Sequence, residues 1–130
     1  MSSHYRRQNR RHEPLYRSFG YAISGIGQCI RDERNIRIHL VFTALVVVGG
    51  IVLHISLQEW IVCLILFGLV ISLELVNTAV ESTVDLVTEE RHPLAKKAKD
   101  TAAGAVLVSA VFAAVIGLLI FVPKIMDFFK

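Results

Sequence analysis

Cysteine and proline are both scarce, at two and three residues among 130. Cys29 and Cys63 stand on separate segments, without the close pairing of a zinc site or the density of a disulfide framework. Both therefore read as packing residues. Pro14, Pro93 and Pro123 are far enough apart to leave long stretches in which no proline interrupts a helix. Charge is missing in a more informative way, because residues 40–55, 60–73 and 101–122 contain no Asp, Glu, Lys or Arg. A helix of a soluble bundle needs a polar outer face, and these runs have none. Also absent are a phosphate-binding G-x-x-x-x-G-K-[S/T] loop, a glycine-rich kinase loop and an H-R-D triplet, so a common soluble nucleotide-binding design is not indicated. The chain has no internal repeat and no low-complexity segment.

What is present is apolar and clustered: 54% of residues are hydrophobic and the mean hydropathy is +0.56. A helix crosses about 30 Å of hydrocarbon with roughly 20 residues, a length each run reaches with its flanks. We therefore expect an all-α membrane protein with spans over about 36–55, 60–86 and 100–122. Ahead of them, Leu15, Phe19, Ala22, Ile23, Ile26 and Ile30 recur at three- and four-residue steps, which predicts an amphipathic surface helix over about 14–31. Residues 1–13 form a polar, basic tail, and 14–130 one integral-membrane domain. No cleavable signal peptide is expected, since the first apolar run starts near residue 38 behind an Arg-rich segment. Trp60 is placed as an interfacial anchor, and Gly49-Gly50 and Ala102-Ala103-Gly104-Ala105 allow close helix packing. Pro93 and Pro123 are expected to break the helices at the second loop (88–100) and after the third span. His39 and His54 have no paired ligand and read as interfacial.

The formal charge is +3, but its distribution does not point to nucleic acid. Arg6, Arg7, Arg10, Arg11 and Arg17 precede the first span, and Arg91, Lys96, Lys97 and Lys99 lie between the second and third. The connection at 54–59 has neither Lys nor Arg. By the positive-inside rule the N-terminus and second loop are cytoplasmic, and the first loop and C-terminus lie outside.

One span is not purely apolar. Glu74, Asn77, Glu81 and Asp85 sit at offsets of 0, 3, 7 and 11. At 100° per residue these groups fall within roughly 80° of one helix face. An ionisable side chain in a span costs about 3 kcal/mol by insertion scales and marks a functional site by default. Carboxylates and an amide are hard oxygen ligands of the kind that hold Mg²⁺ together with substrate phosphates. Lys96, Lys97, Lys99 and His92 can hold phosphate, and Glu33 stands at the mouth of the first span. Such a set suits phosphoryl transfer from a nucleotide to a lipid hydroxyl. On residue types alone, a small oligomeric proton or cation carrier is the rival reading, although three unrepeated spans lack a transporter's paired halves.

The run Glu74-Leu75-Val76-Asn77-Thr78-Ala79-Val80-Glu81, followed by Val84-Asp85 and Ala98-Lys99-Asp100, resembles the signature of the small prokaryotic integral-membrane lipid kinases. That family includes diacylglycerol kinase and undecaprenol kinase, and the resemblance extends from about Gly20 to Pro123. Glu33-Arg34-Asn35, Ile38-His39 and His92-Pro93-Leu94-Ala95-Lys96 resemble its Gram-positive, undecaprenol-using branch. The resemblance implies a homotrimer of three-span subunits with active sites between subunits. It implies Glu74 as catalytic base, Asn77 in support of Glu74, and Glu33 and Glu81 as the carboxylates linked to Mg²⁺ and nucleotide. Tyr21, Glu90, Arg91, His92, Lys99 and Asp100 would contact the nucleotide. It further implies ATP-dependent phosphorylation of undecaprenol at the cytoplasmic face of a bacterial inner membrane, with diacylglycerol as the alternative acceptor. Two positions depart from the diacylglycerol kinase branch. Pro14 stands in place of an arginine, for which Arg17 is the nearby substitute, and His39 stands in place of an acidic residue.

Overall fold

The computed structural model describes residues 14–130; the expected basic tail over 1–13 lies outside the described residues. Four helices follow one another: α1 (Leu15–Asp32), α2 (Arg34–Val52), α3 (Leu57–Val87) and α4 (Pro93–Phe128). The last three are long and apolar enough to cross a membrane, with mean hydropathies of 1.9, 2.3 and 2.9 over their most apolar stretches. Their outward faces carry exposed Leu45, Val48, Leu64, Ile65, Phe112 and Leu119, an apolar surface suited to lipid rather than water. The expected all-α architecture with three spans is therefore present.

Polar side chains and backbone joints set the helix ends. Glu33 alone links α1 to α2: its extended backbone (φ −100°, ψ 122°) ends one helix and caps the next, and its N–H donates to the Cys29 carbonyl at 2.9 Å. The turn between α2 and α3 contains His54 in the left-handed region (φ 51°). Ser56 then starts α3 with a capping box, in which Glu59 N–H donates to Ser56 Oγ at 3.3 Å and Ser56 N–H to Glu59 Oε2 at 2.6 Å. The Trp60 ring lies over Gly50, where an added Cβ would come 2.7 Å from the ring. Gly50 therefore does allow a close approach. Lys124 reaches Glu59 at 3.1 Å and ties α4 to this end of α3.

The chain thus runs up, down and up, with α3 packed along α4 most extensively and less so along α2. Cys29 and Cys63 are buried, unpaired packing residues as expected, and Cys29 Sγ lies 3.3 Å from Thr78 Oγ1 across the α1–α3 contact.

Two expected boundaries are corrected. Pro123 does not end the third span, because α4 continues through it to Phe128. Its ring removes one N–H from the ladder, a loss that spanning helices accommodate. The second loop is also shorter than 88–100. Pro93 occupies the first helical position, where its missing N–H costs nothing, and His92 Nδ1 caps the helix by accepting from Leu94 N–H at 3.1 Å. Lys96, Lys97, Lys99 and Asp100 are therefore helical residues, and only 88–92 is loop.

Candidate active site

The site grows from the face of α3 that turns toward α2. The Glu74 side chain is 3% exposed, unusual for a carboxylate, and Asn77 one turn on is also buried. The Asn77 amide donates to Glu81 Oε1 at 2.9 Å. Asn77 and Glu81 meet because α3 places i and i+4 side by side. Asn77 Oδ1 is buried and accepts no hydrogen bond among the described residues. An unmatched buried acceptor costs about 1–3 kcal/mol and calls for a ligand, an ion or water.

The side chain found opposite Glu74 is His39 of α2, with Nε2 3.3 Å from Oε1. This corrects the reading of His39 as an unpaired interfacial residue. Spacing could not reveal the pair, since it joins two helices; the available signal was an ionisable residue, His39, directly bordering the uncharged 40–55 run. Glu33 stands at the α1–α2 joint, where it caps the start of α2, and Glu81 lies two turns beyond Glu74 on α3.

The remaining residues are arranged less tightly. Lys99 Nζ meets Asp85 Oδ1 at 2.5 Å, joining α4 to the end of the acidic stripe, and Lys96 pairs with Asp100. Glu90 and Arg91 are exposed in the 88–92 loop, next to the capping His92. Tyr21 and Arg17 are exposed on α1. The side chains of Arg17, Tyr21, Glu90 and Arg91 form no hydrogen bond or ion pair among the described residues.

No three His, Cys, Asp or Glu side chains among the described residues come together as a closed metal site. The oxygen donors that sit side by side are the Glu81 carboxylate and the unmatched Asn77 carbonyl on α3, with Glu33 at the α1–α2 joint. Oxygen donors in small number fit Mg²⁺, which keeps several waters and shares its coordination with substrate phosphates. With soft ligands absent, the set is a poor match for zinc or copper.

Three apolar helices with a carboxylate and an amide buried on one of them define a multi-pass membrane protein with a polar candidate site. Residues 20–121 match the prokaryotic diacylglycerol kinase family. The undecaprenol kinase of Bacillus subtilis is 49% identical over 85% of this chain and 90% of its own length. A diacylglycerol kinase of Synechocystis sp. is 41% identical over 85% of this chain and 63% of its own, and one of Pseudomonas aeruginosa 33% identical over 69% and 73%. The chain belongs to the prokaryotic diacylglycerol kinase family and is a lipid kinase. That membership sets the carrier reading aside.

Proposed function

We propose that this enzyme transfers the γ-phosphoryl group of ATP to undecaprenol, giving undecaprenyl phosphate. The observation that carries the reading is Glu74, a carboxylate 3% exposed within an apolar span, where only a lipid-borne group need reach it. Glu74 accepts the proton of the attacking hydroxyl, the new P–O bond forms to the lipid oxygen, and the bond to ADP breaks. Glu33, Glu81 and the Asn77 carbonyl would hold Mg²⁺. When bound, the ion neutralises phosphate charge as it builds up. Lys99, Asp100, Glu90, Arg91 and His92 receive the nucleotide from the 88–92 side, with Tyr21 and Arg17 approaching from α1. Undecaprenol is favoured over diacylglycerol because the Bacillus subtilis relative is similar along nearly its whole length.

In this reading α1 lies on the cytoplasmic face of a bacterial inner membrane, with Leu15, Phe19 and Ile23 turned to lipid. The N-terminus is cytoplasmic and the C-terminus outside. Labelling of a cysteine placed at Ser56 from the outside of intact cells supports this orientation; labelling only after lysis reverses it. The subunits form a homotrimer with sites shared between chains. Mixed Glu33→Gln and Glu74→Gln subunits then regain part of the activity, whereas inactivity despite co-assembly puts both residues in one chain's site.

The substrate assignment is tested with purified protein, radiolabelled ATP and a panel of lipid alcohols. Label is expected in undecaprenol well above dioleoylglycerol. The reverse order assigns the enzyme to diacylglycerol.

A further inference from the structure

We infer that His39 is the positioning residue for Glu74, donating its Nε2–H to Oε1 and leaving Oε2 free for the lipid hydroxyl. The inference rests on Glu74 being the general base. Nε2 lies 3.3 Å from Oε1, and the two side chains are 23% and 3% exposed. No other hydrogen bond or ion pair to the Glu74 carboxylate occurs among the described residues, where Thr78 bonds only its backbone carbonyl. The approach is long for a hydrogen bond, as catalytic contacts often are before substrate closes the site.

A carboxylate turns easily about its last side-chain torsion, which has a broad profile rather than three sharp wells. Glu33 and Glu81 are acceptors as carboxylates and cannot donate to Glu74. With those neighbours alone, either oxygen could face the bilayer and the carboxylate would have no fixed orientation. An N–H donor on the opposite helix removes that freedom by holding one oxygen and turning the other outward. His39 is the ionisable residue α2 supplies within its apolar stretch. Its own turn is secured from behind, since Thr43 Oγ1 donates to the His39 carbonyl at 2.8 Å.

A plain α2–α3 tether would also put a histidine beside a glutamate, and the experiment must separate the two roles. The variants are His39→Leu, which removes the donor, His39→Gln, whose amide nitrogen stands where Nε2 stands, and His39→Asn, whose amide nitrogen stands at the Nδ1 position. His39→Leu is expected to lower kcat by about 10- to 100-fold, the usual scale of a misplaced catalytic group, with KM for ATP nearly unchanged. His39→Gln should recover to within about fivefold of the unsubstituted enzyme, and His39→Asn should not. Adding His39→Leu to Glu74→Gln should cost nothing further, because the two act as one unit.

A His39→Leu enzyme within twofold of the unsubstituted one overturns the inference. So does His39→Gln as slow as His39→Asn, or a double variant slower than Glu74→Gln by the full His39→Leu factor. Should His39→Leu fail to fold, the Gln and Asn pair still decides the matter. A fully active Glu74→Gln overturns the base assignment itself, and it is measured before any His39 variant.

Discussion

The two ends of the helix bundle treat their polar groups in opposite ways. At the α2–α3 turn, Ser56 and Glu59 satisfy each other in a capping box, Glu59 also takes Lys124, and Trp60 closes over Gly50. Among the described residues no buried side-chain polar atom there lacks a partner. Toward the other end, Glu74 is buried against one imidazole and Asn77 keeps an unmatched oxygen, while Glu33 and Glu81 add further negative charge. Matched polar groups stabilise a helix end, whereas concentrated carboxylates and orphaned acceptors destabilise the free protein and are relieved by ligands. On the proposed mechanism, stability belongs to the turn end and chemistry to the carboxylate end. Substitutions at the two ends should therefore move different observables.

The largest effect falls on turnover at Glu74. Glu74→Gln keeps the shape and loses the proton acceptor, so kcat should fall by about 10²–10⁴-fold, the range of a general base. Binding of ATP, measured by equilibrium titration, should survive. Turnover within a few-fold of the unsubstituted enzyme would break the division at its centre.

Glu81→Gln should be milder and of a different kind. A glutamine oxygen still accepts from the Asn77 amide, so the 2.9 Å contact and the fold persist. What is lost is a charged oxygen ligand, and half-saturation by Mg²⁺ in the kinase assay should rise by at least about tenfold. An unchanged Mg²⁺ titration at full activity would remove Glu81 from the site.

The spans and the acidic face are legible because each depends on one helix only. A run such as 101–122, with no charge, states its own environment, and offsets of 3, 7 and 11 from Glu74 need only helical geometry. The Asn77–Glu81 contact follows the same local rule, since i and i+4 are neighbours on a helix. The start of α4 was equally local, since Pro93 is better placed at a first helical position than as a mid-loop break. His39 is a different matter. Its contact with Glu74 depends on how α2 rotates against α3, which the one-residue joint at Glu33 and the Gly50–Trp60 packing decide together. No spacing within one helix carries that information.

At the turn end, Gly50→Ala should destabilise without slowing the folded enzyme. The added Cβ would sit 2.7 Å from the Trp60 ring and 2.9 Å from Ile55 Cδ1, so ring and side chain must shift. Overpacking of this kind costs about 1–3 kcal/mol, read as a lower unfolding midpoint in detergent. Turnover per folded molecule should hold. Shrinking the ring with Trp60→Leu should recover part of the loss in the double variant, since the two residues are in contact. Neutral behaviour of Gly50→Ala would mean the turn end is loosely packed after all.

The smallest effect is expected at Ser56. Its hydroxyl accepts from Glu59 N–H at 3.3 Å, one of the first-turn donors of α3 that no helical carbonyl can reach. Ser56→Ala deletes that acceptor and leaves the other half of the box, because the Ser56 N–H still donates to Glu59 Oε2. Glu59 also keeps Lys124 at 3.1 Å, so the tie to α4 survives. Because the site is exposed, water can reach the freed N–H, and the loss should be about 1 kcal/mol, typical of an N-cap truncation. Unfolding in detergent should register it, while kcat, KM for ATP and the Mg²⁺ titration stay where they were. A change in any of those three would mean that the turn communicates with Glu74 along α3, and stability and chemistry would no longer divide between the two ends.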